Sequence, residues 1–385
     1  MGARPELTDD FLAAVRARAP AIEAAGRLPD DVVDGLRASG LGGAFLPAEL
    51  GGSEMPPHEV APLLEALAAA DGSTGWCAAV SVGNTVLVAY LPEEGARGIV
   101  SHPAVLTGGS FNPAGRGVAL PGGAGWRVTG RWGFGSGILH ADWMSGTFVV
   151  VDEAGEPVLT PEGRPDARLV WFPAADATVH ETWDAMGLAG TGSHDYSVDA
   201  LDVPAPRTMP FAFTPWPAGT FWRMPAMSIV LGPFAAVPLG IARGAIDEVV
   251  TLAATKTPYR STRRLAERDV AQAAIARAEA AVASASAFLH ATLFDQWETV
   301  GRGDEVTMRQ RAQARLAVVN AATAARQAVD LCFQAAGSTA VFADHPLQRQ
   351  FRDAHTAGQH VVLAASGYET VGRVMFGLDP DTALI

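Results

Sequence analysis

Residues 305–336 read EVTMRQRAQARLAVVNAATAARQAVDLCFQAA, with no Gly or Pro until Gly337. A run rich in Ala, Arg and Gln, free of breakers and stopped by glycine, is a helix followed by its C-terminal punctuation. Leu265 to Val300 has the same character. Each run exceeds 30 residues, so each forms a rod of about 45 Å or more. Rods of that length with short connections pack as an antiparallel bundle. A helix around Pro238 to Thr255 and one over Leu347 to Phe376, bent at Gly358 or Gly367, complete a set of four.

Upstream of this bundle the pattern changes. From 104 to about 215 Gly and Pro are dense. Short apolar stretches there (Trp126-Arg127-Val128, Thr147 to Val151, Leu169 to Phe172) are bounded by turn residues. Asp152-Glu153-Ala154-Gly155 has hairpin-turn chemistry. Residues 1–103 are helical again: Leu7 to Ala19 and Pro29 to Ala38 are amphipathic, and Leu63, Leu64, Leu67 and Ala68 share a helical face. Gly51-Gly52 and Asp71-Gly72 break these helices. The reading is an α+β chain in three parts: a helical domain over 1–103, a central β-barrel or sandwich over 104–215, and a four-helix bundle over 216–385.

Composition narrows the function. Apolar residues make up 49% of the 385 and charged residues 18%, enough for a large core. The formal net charge of −13 repels phosphate backbones and anionic bilayers. The longest mostly apolar run, Met227 to Ala242, is interrupted by Ser228, Gly232, Pro233 and Pro238 and is shorter than the roughly 20 residues a bilayer requires. Arg4, Glu6, Asp9 and Asp10 do not make a signal peptide, and Glu6 breaks the myristoylation pattern after Gly2. Cys77 and Cys332 are too few for a disulfide framework or a cysteine zinc site. The expectation is a cytoplasmic protein that binds neither nucleic acid nor membrane and has no metal site. Generic cofactor motifs fail: Gly187-Leu-Ala-Gly190-Thr-Gly192 opens no helix, Ser136 is not framed as a nucleophile elbow, and H-E-x-x-H is absent.

Four segments together carry a resemblance. They are Asp71-Gly-Ser-Thr-Gly-Trp76, Gly130-Arg-Trp-Gly-Phe-Gly-Ser136-Gly-Ile-Leu-His140-Ala-Asp-Trp143, Gly187 to Asp195 running on to Val203-Pro204, and Ala336 to Thr339 followed by Pro346 to His360. In this order they resemble the acyl-CoA dehydrogenase superfamily over nearly the whole chain. They are most similar to its oxygen-using branch, the two-component (class D) flavin-dependent monooxygenases. The resemblance implies a flavin, FMN or FAD, supplied reduced by a separate NAD(P)H-dependent reductase. It implies hydroxylation of a small aromatic, phenolic or amine substrate through a C4a-hydroperoxyflavin, in a homotetramer or homodimer.

By the same resemblance, Ser136 bonds near flavin N5 and His360, eight residues after Arg352, is the active-site histidine. Each also has a plain alternative, a turn serine and a satisfied core histidine. Trp132 and Phe134 belong to the stretch that covers the flavin, with Trp132 equally suited to packing. Gly190, Thr191, Gly192 and Ser193 bring backbone to the ligand, or simply turn the chain. Arg260, Arg263, Ser338, Thr339, Arg349 and Arg352 are phosphate candidates, the last two reaching the phosphate across a subunit interface or else pairing with Asp344 and Asp353. Trp76, Asn84 and His140 are candidate substrate contacts, and the aromatic residues from Phe211 to Trp222 line the pocket or fill a domain junction. The dehydrogenases need a carboxylate to take the proton α to a thioester. Here the corresponding positions are Gln359-His360-Val361 and Met227 to Gly232, which hold no acid; Glu369 lies further along. The competing readings are an acyl-CoA dehydrogenase-like FAD enzyme and a non-catalytic member.

Overall fold

The computed structural model describes residues 2–211, 214–380 and 385. Five helices come first: α1 (Asp9–Ala25), α2 (Asp30–Ala38), α3 (Pro57–Ala70), α4 (Gly72–Thr85) and α5 (Glu93–Ile99). The break expected at Asp71-Gly72 is a cap: Asp71 is extended, and its carboxylate accepts the Thr74 N–H at 2.8 Å, restarting the helix as α4.

Eight strands follow: β1 (Thr107–Gly109), β2 (Gly115–Ala119), β3 (Gly125–Gly135), β4 (Trp143–Val150), β5 (Ala167–Pro173), β6 (Thr178–His180), β7 (His194–Pro204) and β8 (Thr208–Pro210). They form one connected sheet in the order β6-β7-β3-β2-β4-β5-β8, with β1 beside β4. It wraps a core of its own around Trp132, with Val128, Met144, Phe148, Phe172 and Tyr196. The Trp132 ring stacks on Tyr196 at 5.4 Å, and its Nε1 donates to the Thr147 carbonyl at 2.8 Å. A Cβ on Gly146 would lie 2.6 Å from the Trp132 indole, so that strand position admits only glycine.

The last five helices are α6 (Ala226–Thr255), α7 (Asp269–Gly301), α8 (Met308–Ala336), α9 (Pro346–Ala357) and α10 (Ser366–Met375). Helix α6 starts at Ala226 rather than near Pro238 and carries Pro233 and Pro238 inside it. Every residue from Ser228 to Ala242 is buried. That continuous apolar burial outweighs the roughly 3 kcal/mol that an interior proline costs. By length and composition α6 passes as a membrane span, yet 94% of its apolar window is buried inside the fold. It is the core helix, packed against α3, α4, α7, α8 and α9 within one apolar cluster that joins the amino-terminal helices to the bundle.

The single fourth helix expected over Leu347 to Phe376 is two helices, α9 and α10, separated by an irregular turn. Two arginines of α8 explain the break. Arg315, buried, donates to the Val362 carbonyl, and the Arg326 side chain sits 3.1 Å from where a Gly358 Cβ would be. The turn carries His360.

Candidate active site

Four parts of the chain converge where the sheet meets the bundle. Helix α4 presents Trp76, Val80 and Asn84, spaced by four and therefore on one face. The end of β3 presents Phe134 and Ser136, and the start of α6 presents Met227, Val230, Leu231 and Phe234. Helix α9 and the turn after it present Phe351, His355, Thr356, Gln359 and His360. They enclose two adjoining cavities of about 540 and 560 Å³. Phe134, Ser136, Gln359 and His360 line both. Trp183, Met186, Leu188 and Ser193 complete the first cavity; Ser110, Phe111, Asn112 and Phe211 help complete the second. Among the described residues no carboxylate lines either.

His360 lies against the Phe234 ring at 5.2 Å and 9°, with the edge of Trp76 at 5.2 Å. Burial holds its pKa well below the usual 6.5, at about 4, so the ring is neutral at pH 7. Its Nδ1 accepts the Val362 N–H at 3.3 Å, which leaves the proton on Nε2. His360 is thus a neutral N–H donor. Ser136 is buried, accepts the Trp76 indole N–H at 3.1 Å, and lies 2.6 Å from the Ser193 hydroxyl. Asn84 is buried, and its Nδ2 has no hydrogen-bond partner. Phe134 is 74% exposed, with a left-handed backbone (φ 61°) that costs a non-glycine residue about 1 kcal/mol.

The loop carrying Ser193 is clamped to α9. Arg352 Nη1 donates to the Met186 carbonyl at 2.5 Å, and Asp353 Oδ1 accepts the Leu188 N–H at 2.6 Å. A Gly187 Cβ would fall on the Arg352 carbonyl and 2.7 Å from the Asp353 nitrogen. Asp353 is 3% exposed; burial raises its pKa to about 7.

Of the candidates read from the sequence, Ser136, His360, Phe134, Ser193, Trp76 and Asn84 line the cavities. Phe211 joins them at the second cavity, and the other described candidates lie elsewhere. Trp132 is 0% exposed in the sheet core. His140 Nε2 accepts the Leu28 N–H at 3.1 Å beside a separate 20 Å³ void, so it caps a loop instead of facing substrate. Gly190 packs on α1, where a Cβ would meet Ile22, and Gly192 is a left-handed turn against Leu139. Thr191 is buried behind Ser193 and bonded to it.

Arg349 and Arg352 pair with Glu23 of α1, in place of Asp344 or Asp353. Arg260 is exposed over its own Tyr259 ring, and Arg263 donates to the Glu267 carbonyl. Ser338 is exposed, and Thr339 accepts from Lys256 at 2.5 Å. Glu369 is exposed on α10, away from both cavities. Phe211 reaches the second cavity, Trp222 donates to Glu54 at 2.9 Å, and Phe213 lies outside the described residues. Sequence reasoning missed Trp183, Met186, Phe351, Thr356, Gln359 and the Val230–Phe234 pair. Only the last had a signal, its spacing of four on an apolar helix.

The site suits a flavin. The first cavity is walled by the flat rings of Phe134, Trp183 and Phe351, has hydroxyls on one side, and holds an unpartnered buried Thr356 Oγ1. Its volume is in the range of about 300–1,000 Å³ typical of cofactor pockets.

Known proteins share the sequence and fold that carry this site. Residues 6–97 match the family model "acyl-CoA dehydrogenase, N-terminal domain", and 233–365 match "acyl-CoA dehydrogenase, C-terminal domain". The chain is 32% identical to indole-3-acetate monooxygenase of Pseudomonas putida over 95% of its own length and 91% of the relative's. It is 30% identical to the oxygenase subunit HsaA of a flavin-dependent monooxygenase from Mycobacterium tuberculosis, covering 98% and 96%. It superposes with a TM-score of 0.88 on XiaF from Streptomyces sp. in complex with FADH2, at 26% identity over 98% and 97%.

Proposed function

The chain belongs to the acyl-CoA dehydrogenase family, and we propose that it works there as the oxygenase component of a two-component flavin-dependent monooxygenase. It hydroxylates a small, mainly apolar aromatic or phenolic substrate. The observation that carries this reading is the meeting of two cavities at Ser136 and His360 with no lining carboxylate. Abstraction of a proton α to a thioester needs a base of that kind, and the site holds a neutral histidine instead.

The first cavity would hold the flavin ring, with Phe134 and Trp183 over it and Ser136 and Ser193 at its edge. Reduced flavin, when bound, activates O2 and supplies both electrons, so that one oxygen atom enters the substrate and the other leaves as water. The second cavity would hold the substrate between Val80, Val230, Leu231 and Phe234, whose apolar walls exclude water from the reacting oxygen. His360 Nε2–H stands where the cavities join and donates a hydrogen bond to oxygen there. Its low pKa makes it a donor more than a base. The stacked Phe234 and edge-on Trp76 fix the imidazole.

The similarity to HsaA, an oxygenase subunit, supports a separate NAD(P)H-dependent reductase as the source of the reduced flavin. The oxygenase itself assembles as a homotetramer or homodimer in the cytoplasm. An amine substrate would be oxygenated at nitrogen by the same arrangement.

The test supplies FMN or FAD, NADH and a flavin reductase under 18O2, with indole-3-acetate, resorcinol and related aromatics offered as substrates. One 18O atom per product is expected. No incorporation from any of them, together with bleaching of bound FAD by an acyl-CoA under anaerobic conditions, would move the assignment to a dehydrogenase.

A further inference from the structure

The hydroxyls behind Ser136 form a chain whose proton directions are fixed. Thr191 Oγ1 lies 2.7 Å from the Leu188 carbonyl, Ser193 Oγ lies 2.6 Å from Thr191 Oγ1, and Ser136 Oγ lies 2.6 Å from Ser193 Oγ. Three O···O contacts share three hydroxyl protons, and a carbonyl oxygen only accepts. Thr191 must therefore donate to Leu188, Ser193 to Thr191, and Ser136 to Ser193. Any other assignment leaves one of these close contacts without a proton. At the open end Ser136 accepts from the Trp76 indole, which can only donate. The anchor is firm, because the Leu188 N–H is held by Asp353 and its carbonyl also takes the Trp183 Nε1–H at 3.1 Å.

Ser136 and Ser193 both line the first cavity. With their protons committed inward, they offer it lone pairs only. We propose that Ser193 and Thr191 are positioning residues that make this wall acceptor-only, so that the site selects reduced over oxidised flavin. The inference rests on placing the flavin edge at Ser136. Reduced flavin carries a hydrogen on N5, which such a wall can accept. Oxidised flavin has a bare N5 lone pair there, which meets another lone pair. The discrimination therefore lies in the direction of one hydrogen bond, and it lets the oxygenase take flavin from the reductase and release it after turnover.

The experiment measures dissociation constants for oxidised FMN and FAD, and for the same flavins reduced anaerobically with dithionite, by fluorescence and absorbance titration. The wild-type protein should bind the reduced form more tightly. Ser193→Ala frees the Ser136 proton to turn outward, so the oxidised-to-reduced ratio of dissociation constants should fall about 2- to 10-fold, the worth of one hydrogen bond. A tenfold change corresponds to about 30 mV in the two-electron potential of the bound flavin. Thr191→Val should act in the same direction and serves if Ser193→Ala fails to fold; Thr191→Ser, which restores the donor, should keep the wild-type ratio. A ratio unchanged in both Ser193→Ala and Thr191→Val, while Ser136→Ala alters it, overturns the wiring and leaves the site reading standing. Ser136→Ala without effect on either flavin form, or no flavin binding at all, overturns both.

Discussion

Asn84→Leu should make the protein more stable and its substrate affinity worse. Asn84 sits one helical turn after Val80 on α4, is 4% exposed, and borders the second cavity beside Val230 and Phe234. Its Nδ2 has no partner. A buried polar group without a partner costs about 1–3 kcal/mol. Leucine has the same branched shape, its bulkier methyls have the second cavity to extend into, and it is favoured over asparagine in a helix interior by a few tenths of a kcal/mol. The expected gain is about 1–3 kcal/mol, read as a higher urea midpoint with an unchanged slope. The amide borders the second cavity, where a bound ligand could accept its N–H. Loss of one such hydrogen bond at about 1 kcal/mol should raise KM roughly fivefold for the aromatic substrate turned over, with kcat less affected. A variant less stable than wild type with an unchanged KM would refute the reasoning, since the amide would then be serving the fold.

Three further outcomes follow from the site. His360→Ala should retain flavin binding but lower product formed per O2 consumed at least tenfold, the oxygen appearing as hydrogen peroxide; unchanged coupling by peroxide assay removes His360 from the chemistry. Gly187→Ala must lift the Leu188 loop off α9, because its Cβ would fall on the Arg352 carbonyl. It should cost about 1–3 kcal/mol in denaturant unfolding and expose the Leu188 amide to hydrogen exchange. His140, held at about 4 by burial, takes up protons in the unfolded chain first. It should therefore cost stability as pH falls from about 6.5 to 4, whereas Asp353, raised to about 7, favours the folded state over that same fall. Because the two oppose one another, the check is a difference: His140→Gln should flatten the acid loss by about 1–2 kcal/mol relative to wild type in unfolding curves at pH 7 and 4.5.

The long helices were legible because nothing in residues 308–336 interrupts them, and a 29-residue helix reports itself by composition. The place of the break between α9 and α10 was legible at Gly358 and Gly367, but its opening into a full turn was not, because Arg315 and Arg326, which hold that turn, are distant in sequence and neutral in any local propensity. The early start of α6 was hidden for the opposite reason: two prolines signal a break, and tertiary burial overrides them. At the site, Ser136 and His360 were legible through their motif. Trp132 and His140 stand in the same motif and face other ways, one into the sheet core and one onto the Leu28 amide, because an irregularity between Trp132 and Gly135, with Phe134 at φ 61°, breaks the alternation along β3 and the turn after it redirects the rest. Linear spacing carries no record of that. The pairing of Arg349 and Arg352 with Glu23 was hidden for a related reason. Glu23, 329 residues before Arg352, is their partner, and only the fold brings α1 to α9.

The geometry also explains how a two-cavity site can be held by so little of the chain. Residues 352–362 fix the acceptor and the donor together. Asp353 holds the Leu188 amide and through it the hydroxyls that end at Ser136, while nine residues after the Asp353 backbone the Val362 carbonyl, tied to Arg315, fixes the turn carrying His360. Both anchors are buried polar side chains bonded to backbone groups, so neither can swing away without leaving a buried hydrogen-bonding group unsatisfied, at a cost of about 1–3 kcal/mol. Ser136 and His360 come from the sheet and the bundle, yet their separation is set by one short segment packed on α8. A scaffold built this way can change its chemistry by exchanging the residue at the turn, acid for imidazole, without moving the wall opposite. Among the described residues no carboxylate lines either cavity, and the turn offers a neutral N–H donor where the two meet, an arrangement suited to holding oxygen more than to removing a proton from carbon.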